Sequence, residues 1–230
     1  MAETLVISTH LDDAVLSIGK LLSARPGAVV LTVFAGRPPR FTTTKYDLAS
    51  GFIESRSAVH HRREEDRTAL DLLDARPLHA DLLDHQYSMP STDDEVAEVV
   101  CRAVDEIRPE TVFGPVGLFH PDHEQVGRVW PAAVAGAGVR HLIAYEDLPY
   151  RNHRPRRAAA AVERFAARHR ANAEPGHADP LEDARHEGRK AIAMLAYASQ
   201  LRFVAPLSCL AEERLWRLTA DQAASPAEVR

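Results

Sequence analysis

The chain is expected to fold as an α/β domain with a Rossmann-like, mostly parallel sheet and helices on both faces. Apolar runs of strand type alternate with helical periodicity from the first residues onward. The first strand, helix and second strand follow with joins so short that they imply a right-handed parallel crossover. Two polar motifs, His10-Leu11-Asp12-Asp13 and His120-Pro121-Asp122-His123, each stand where an apolar run ends. Open α/β sheets bind ligands outside the carboxyl ends of their strands, so polar clusters at two matched strand ends mark that edge.

In chain order, residues 4–9 form a strand and 13–24 a helix that buries Val15, Leu16, Ile18, Leu21 and Leu22 on one face; Ala28–Phe34 is the second strand. Residues 35–51 lose periodicity and carry Gly36, Pro38, Pro39 and Thr42 to Thr44, a long loop read as a rim over the strand ends. A charge-rich helix runs from about Glu54 to Leu73 with Leu70, Leu72 and Leu73 inward, and Pro77–Leu83 gives a third strand that ends at Asp84. Asp93–Ile107 carries the clearest apolar stripe, and Pro109 stops it. Thr111–Gly114 is a strand that empties into the HPDH turn. A helix over 125–135 and a strand at His141–Tyr145 follow. Beyond a turn-rich basic run lie a helix over 158–171, a polar linker over 172–180, a helix over 181–201 carrying Ile192, Leu195 and Tyr197, and a short amphipathic helix around Trp216. Residues 150–180 as a whole are read as a loop or insertion near the rim.

A length of 230 residues favours one domain, 1–230, over two. Hydrophobic content of 45% and charged content of 27% belong to an ordinary folded chain. A net charge of −5 argues against nucleic acid as a partner. No apolar stretch approaches the ~18 residues of a membrane span, and the N-terminus enters a strand without a secretory pattern, which reads as cytoplasmic. The partner expected is a small molecule; a homo-oligomer is compatible with the sequence. Cys101 and Cys209 lack metal or redox spacing and are read as buried thiols rather than a disulfide or a metal site.

His10, Asp13 and His123 together make a facial set of two imidazoles and a carboxylate, the three-ligand pattern of catalytic rather than structural zinc. Asp12 can then face a water activated by the metal and take its proton, while His120 can polarise an acyl carbonyl, stabilise the oxyanion or protonate the departing amine. Taken singly, each motif favours a structural role: a histidine satisfied at a strand end, an Asp pair capping a helix. Their occurrence at two strand ends reverses that balance. Asp122 is well placed to cap the helix after it; residues 145–150, YEDLPY, could line the pocket, with an ordinary strand exit as the alternative for Glu146 and Asp147.

These residues resemble the PIG-L/LmbE-like family of metal-dependent N-deacetylases, whose signatures are a strand-end HPDD and a later HxDH. Further matches are Arg62 and Glu65 opening a helix, RPETVFGP before the second motif, and a C-terminal K…SQ segment over Lys190–Gln200. The resemblance implies zinc, or Fe(II) in its place, held by His10, Asp13 and His123, with Asp12 as general base and His120 as acid or oxyanion partner. It implies removal of an N-acyl group, acetyl or longer, from an amino sugar or glycosylated metabolite, with Arg62 and Asp84 as candidates for holding sugar hydroxyls. The alternatives are an amidase on a non-sugar amide, such as a thiol conjugate, and a binding domain that has lost catalysis. Leu11 departs from the family proline, and Asp74-Ala75 replaces a glycine, so the Arg-Glu helix is expected to end differently.

Overall fold

The structure is a computed structural model that describes residues 3–176, 184–204 and 206–220. Its centre is a seven-stranded sheet in the order β3-β2-β1-β4-β5-β7-β6. Strands β1 (Thr4–Ser8), β2 (Val29–Thr32), β3 (Arg76–His79), β4 (Thr111–Pro115) and β5 (His141–Tyr145) are parallel; at one side β7 (Leu215–Ala220) pairs antiparallel with both β5 and the edge strand β6 (Ala171–Gly176). The central strands β1 and β2 are rich in β-branched residues and wholly buried, because both faces of the sheet are covered there. Leu5 and Ile7 face one layer of core with Val96, Val100 and Trp130, and Val6 faces the other with Leu16, Leu22 and Leu70. The first core layer lies under helices α4 (Asp93–Ile107), α5 (Pro121–Val134) and α7 (Pro155–Arg168); the second lies under α1 (Asp13–Ser23), α3 (Ser55–Asp71) and α8 (Ala184–Met194). The expected fold class is the observed one.

Strand order reverses between β1 and β4, which lie side by side with Val6 opposite Phe113. A parallel doubly wound sheet opens a crevice at such a reversal. Both polar motifs follow these two strands.

Several elements differ from expectation. The rim loop contains a short helix, α2 (Lys45–Ala49), capped by the Thr44 hydroxyl accepting from Asp47 N–H at 3.0 Å. Helix α5 starts at Pro121 rather than Gln125, with His120 at its N-cap, so the second motif is a helix start and not a turn. Proline suits that first helical position, where its missing N–H is no loss. Leu72 is exposed at the end of α3 while Leu70 and Leu73 are buried, since only the latter pair, three residues apart, share a face. Asp74 takes φ 56°, the left-handed region a glycine would favour, so α3 ends in that geometry without one.

Residues 150–180, read as a loop or insertion, carry a short helix α6 (Leu148–His153) into α7 and then β6; residues 177–180 lie outside the description. The linker expected at 172–180 is thus strand as far as Gly176, because β7 pairs with it from Ala171↔Ala220 to Gly176↔Leu215. The helix expected around Trp216 is that strand, its Leu-Trp-Arg-Leu alternation satisfied between β5 and β6. Helix α8 ends at Met194, leaving Ile192 and Leu195 exposed and Tyr197 buried. No disulfide joins Cys101 and Cys209. No helix among the described residues is long and apolar enough to cross a membrane.

Candidate metal centre

The first motif is wired by its own backbone. Ser8 at the end of β1 donates its hydroxyl to the His10 carbonyl at 2.9 Å and accepts from Ala14 N–H at 3.1 Å, while His10 N–H donates to Asp13 Oδ2 at 2.8 Å. Asp12 occupies the N-cap position of α1, yet its side chain caps no N–H and lines the cavity instead. The structural role open to this Asp pair is therefore not taken up by Asp12.

Three donor atoms converge where the motifs meet. His10 Nδ1 lies 3.2 Å from Asp13 Oδ2, His123 Nε2 lies 3.1 Å from the same oxygen, and the two ring nitrogens are 3.2 Å apart. A divalent ion with ligand distances of about 2.0–2.2 Å sits over a face whose donors are about 3–3.5 Å apart, so the triangle fits one. His120 adds a ring nitrogen within 4.8 Å of those of His10 and His123, and Asp84 and Asp122 offer oxygens within the same reach of His10.

Each histidine of the triangle is held through its other nitrogen. His10 Nε2 donates to Asp122 Oδ2 at 2.9 Å, and that oxygen also accepts from His85 N–H at 3.0 Å. His123 Nδ1 donates to Asp147 Oδ1 at 2.6 Å, while Asp147 Oδ2 accepts from the N–H groups of Gly117 and Leu118, each at 3.0 Å. Carboxylates that orient ligating imidazoles recur in metal sites and fix which nitrogen faces the ion. The helix cap expected of Asp122 is corrected: His120 is the N-cap, accepting from Asp122 N–H at 3.3 Å, and the Asp122 carboxylate serves His10. Asp147 is likewise a buried partner of His123 rather than a plain strand exit. Its signal in the sequence was an acid just beyond a strand, but β5 had first to be placed beside β4.

The electrostatics favour a cation. Burial opposes charge on His10, yet Asp84, Asp122 and Asp13 raise it well above the ordinary histidine value. Burial likewise opposes charge on His123, but Asp13 and Asp147 raise it to about 9. Asp13 is held well below the carboxylate range against its burial, first by His123 and then by His10. Asp12 goes the other way: burial, then the Asp13 carboxylate, push it up to about 7. Burial and the two neighbouring imidazoles lower His120.

The triangle opens into a cavity of about 390 Å³ that Asp12, His120, Arg62 and Asp84 also line. The structure thus brings all seven sequence-predicted residues to one site. Arg62 is buried, with Nη1 2.8 Å from Asp47 and Nη2 donating to Ser50 Oγ at 3.2 Å. Asp84 accepts from Gln86 N–H at 2.9 Å and from its side-chain amide at 2.8 Å. The K…SQ segment closes the far side: Ser199 gives its N–H and hydroxyl to Glu65 at 2.8 and 2.6 Å, and Gln200 reaches the Leu11 carbonyl at 3.4 Å.

The family described as PIG-L: GlcNAc-PI de-N-acetylase matches residues 5–134, more than half of the chain. The protein belongs to this family. Solved PIG-L-like structures align over almost the whole chain. A deacetylase of the teicoplanin biosynthesis pathway, crystallised as a bog complex, is 24% identical over 96% of this chain and 100% of its own, with a TM-score of 0.76. The A40926 pseudoaglycone deacetylase Dbv21 is 26% identical over 98% of each chain, with a TM-score of 0.73. The 4-carboxy-2-hydroxymuconate hydratase GalB of Pseudomonas putida KT2440 is 15% identical over 100% of this chain and 99% of its own, with a TM-score of 0.67. No curated protein sequence matches the chain.

Proposed function

We propose that the protein is a metal-dependent N-deacylase that removes an acyl group, acetyl in the simplest case, from an amino sugar or a glycosylated small molecule. The observation that carries this is the triangle of His10 Nδ1, Asp13 Oδ2 and His123 Nε2, with edges of 3.1–3.2 Å, beside a carboxyl group raised to about 7. Family membership and the deacetylase relatives support the reaction class. A hydratase shares the fold, so the fold alone does not choose the reaction and the donor set must.

His10, Asp13 and His123 would hold the ion, zinc in our reading with Fe(II) as the alternative, and Asp122 and Asp147 would orient its imidazoles. A divalent ion there supplies Lewis acidity, which acidifies water and polarises an acyl carbonyl. Asp12 takes the proton from the attacking water and returns it to the amine nitrogen as the C–N bond breaks; the second proton of that water leaves the new acid for the amine, so the products are a carboxylate and an ammonium. Burial and the Asp13 carboxylate raise Asp12, and a bound cation would favour its ionised form, the form that accepts the proton. His120 accepts the Asp122 N–H at Nδ1, which leaves Nε2–H as a donor. With its pKa lowered, it acts as a neutral donor to the developing oxyanion rather than as a pre-charged acid. Asp84 accepts a sugar hydroxyl, while Arg62, with two nitrogens already engaged, favours the ionised form of Asp12 through its charge.

The test is metal content together with amine release: bound zinc and iron are measured, and N-acetylglucosamine glycosides are screened with and without chelator. One ion per chain with chelator-sensitive release is expected. Protein that binds neither metal and stays inactive when both are added overturns the mechanism.

A further inference from the structure

One face of the molecule joins apolar and basic side chains. The rim loop over residues 35–44 is strapped to the start of α3: Ser55 N–H donates to the Thr42 carbonyl at 2.9 Å, and the Thr43 hydroxyl donates to the Ile53 carbonyl at 3.0 Å. This strap carries Phe41 and Ile53, which are 94% and 86% exposed. Helix α2 continues the face with Leu48, and Arg202, donating to the Ala49 carbonyl at 2.7 Å, ties to it the 3-10 turn Leu201–Phe203 with its exposed Phe203. Four of the eight large apolar side chains exposed among the described residues thus stand on adjoining segments. Such residues need no explanation when scattered singly, but a gathering of them marks a contact surface. Phe41 also takes φ 66°, the left-handed region that disfavours a bulky side chain. Strain and exposure both oppose this arrangement in water, and a partner that covers the ring relieves the second.

The same segments are basic in a chain of net charge −5. The acids of residues 36–57 are Asp47 and Glu54 alone. Asp47 is buried against Arg62 at 2.8 Å, and Glu54 caps α3 by accepting from Ser57 N–H at 2.9 Å. Arg37, Arg40, Lys45, Arg56 and Arg202 are all exposed, so five cations face water with one half-buried carboxylate among them. Charge narrows the choice of partner. A second copy seated here by two-fold symmetry would bring like charges together. Nucleic-acid bases would stack on Phe41 but make no use of Leu48 and Ile53. An anionic lipid surface uses both chemistries, since its phosphates attract the cations and its acyl boundary takes the apolar side chains.

We infer that this face docks on an anionic lipid bilayer, with Phe41 and Ile53 entering the acyl boundary and the five cations lying among the headgroups. Attachment of this kind is peripheral and reversible, and it requires no spanning helix. Tyr46 and Phe203, whose ring centroids lie 4.7 Å apart, also line the cavity, so the docked face includes part of the cavity rim. The inference does not rest on the deacylase reading, because the metal triangle takes no part in the contact.

Co-sedimentation of the full chain with phosphatidylcholine vesicles, with and without phosphatidylglycerol, reads the contact directly. Binding is expected on the anionic vesicles, should weaken as salt is added, and should fall by about tenfold or more when phosphatidylglycerol is left out. Arg40→Gln should weaken it about fivefold, the contribution of one cation near such a surface. Phe41→Ser/Ile53→Ser should weaken it by about tenfold or more, and its Tm should match wild type because both side chains are exposed. The indole of Phe41→Trp should emit further to the blue on anionic vesicles. No binding to either vesicle, equal binding to both, an unshifted Phe41→Trp emission, or wild-type binding by the double variant overturns the inference. So does a wild-type dimer in sedimentation velocity that the double variant dissolves, which gives the face to a second copy. Vesicle binding without release of amine from N-acetylglucosamine glycosides supports the docking face and refutes only the deacylase reading; amine release without vesicle binding does the reverse.

Discussion

Removing Glu213 should cost the protein a large part of its stability, because this side chain repairs a break in the helix that carries Asp12 and Asp13. Helix α1 kinks at Ile18, where φ is −135° and ψ 33°. Glu213 accepts from the N–H groups of Lys20 at 2.8 Å and Leu21 at 3.0 Å just beyond the kink. The Lys190 ammonium, 2.8 Å from Glu213 Oε1, balances its charge, and both side chains are wholly buried. Glycine at position 19 is what admits Lys190, since a Cβ there would stand 2.7 Å from its Cγ. Breaking a buried ion pair costs about 3–5 kcal/mol, and each stranded amide adds about 1–3 kcal/mol before water relieves it. Glu213→Ala should therefore lose about 5 kcal/mol, which at ~2–4 °C per kcal/mol for a chain of this size lowers Tm by about 10–20 °C. Lys190→Met/Glu213→Leu removes both charges and leaves only the two amides, so it should lose less than Glu213→Ala alone. Urea unfolding of wild type, both single variants and the double variant gives the coupling energy. Burial already holds the Lys190 ammonium below the ordinary lysine value, and loss of Glu213 lowers it further. In the variant the unfolded chain then binds more protons over the window up to about 10.4, so stability rises with pH there and the deficit shrinks. A loss below about 1.5 kcal/mol in Glu213→Ala, or a double variant that loses the sum of the singles, would refute the role given to this pair.

Asp12→Asn should keep both fold and metal while turnover falls by about 10²–10⁴; metal content and amine release measured together decide it, and turnover within fivefold of wild type (~5) would remove Asp12 from the proton transfers. Asp122→Asn and Asp147→Asn should each weaken metal retention by about 10–100-fold, read by competition with a chromogenic chelator. If both variants hold the ion as tightly as wild type, these carboxylates do not orient its ligands. Stripping the metal should lower Tm, and zinc restored to about 100 times its Kd should return about 2.7 kcal/mol; a melting curve indifferent to the ion would mean that the triangle does not bind it.

What the sequence revealed and what it concealed divide along the distance between interacting residues. Helix α4 was legible to the residue, because its signals are local: the valine stripe inside it and Pro109 just beyond it. The two motifs were legible as strand ends for the same reason. The start of α5 was local too, but Pro121 had to be read as a first helical residue instead of a turn residue. Strands β6 and β7 were hidden because Ala171–Gly176 carries a proline, two alanines and a glycine and becomes a strand only against Leu215–Ala220. Leu72, Ile192 and Leu195 misled in the opposite sense, since an apolar residue does not announce whether anything covers it. Asp147 carried no sign of its partner: it stands 24 positions after His123, with most of α5 and all of β5 in between.

The family match spans residues 5–134 and contains every group proposed to touch the ion or the reacting atoms. It contains Asp122, which orients His10, but only part of what holds the site. His123 is oriented by Asp147, α3 is clasped at Glu65 by Ser199, the turn before α1 is reached by Gln200, and α1 itself is mended by Lys190 and Glu213. Three of these contacts engage a buried carboxylate, that of Asp147, Glu65 or Glu213, so the partner specifies a position rather than merely adding cohesion. The N-terminal part thus supplies the chemistry of the site and the C-terminal part completes its geometry. The same C-terminal part brings Phe203 to the cavity mouth, so the rim can change there while the polar cluster stays as it is.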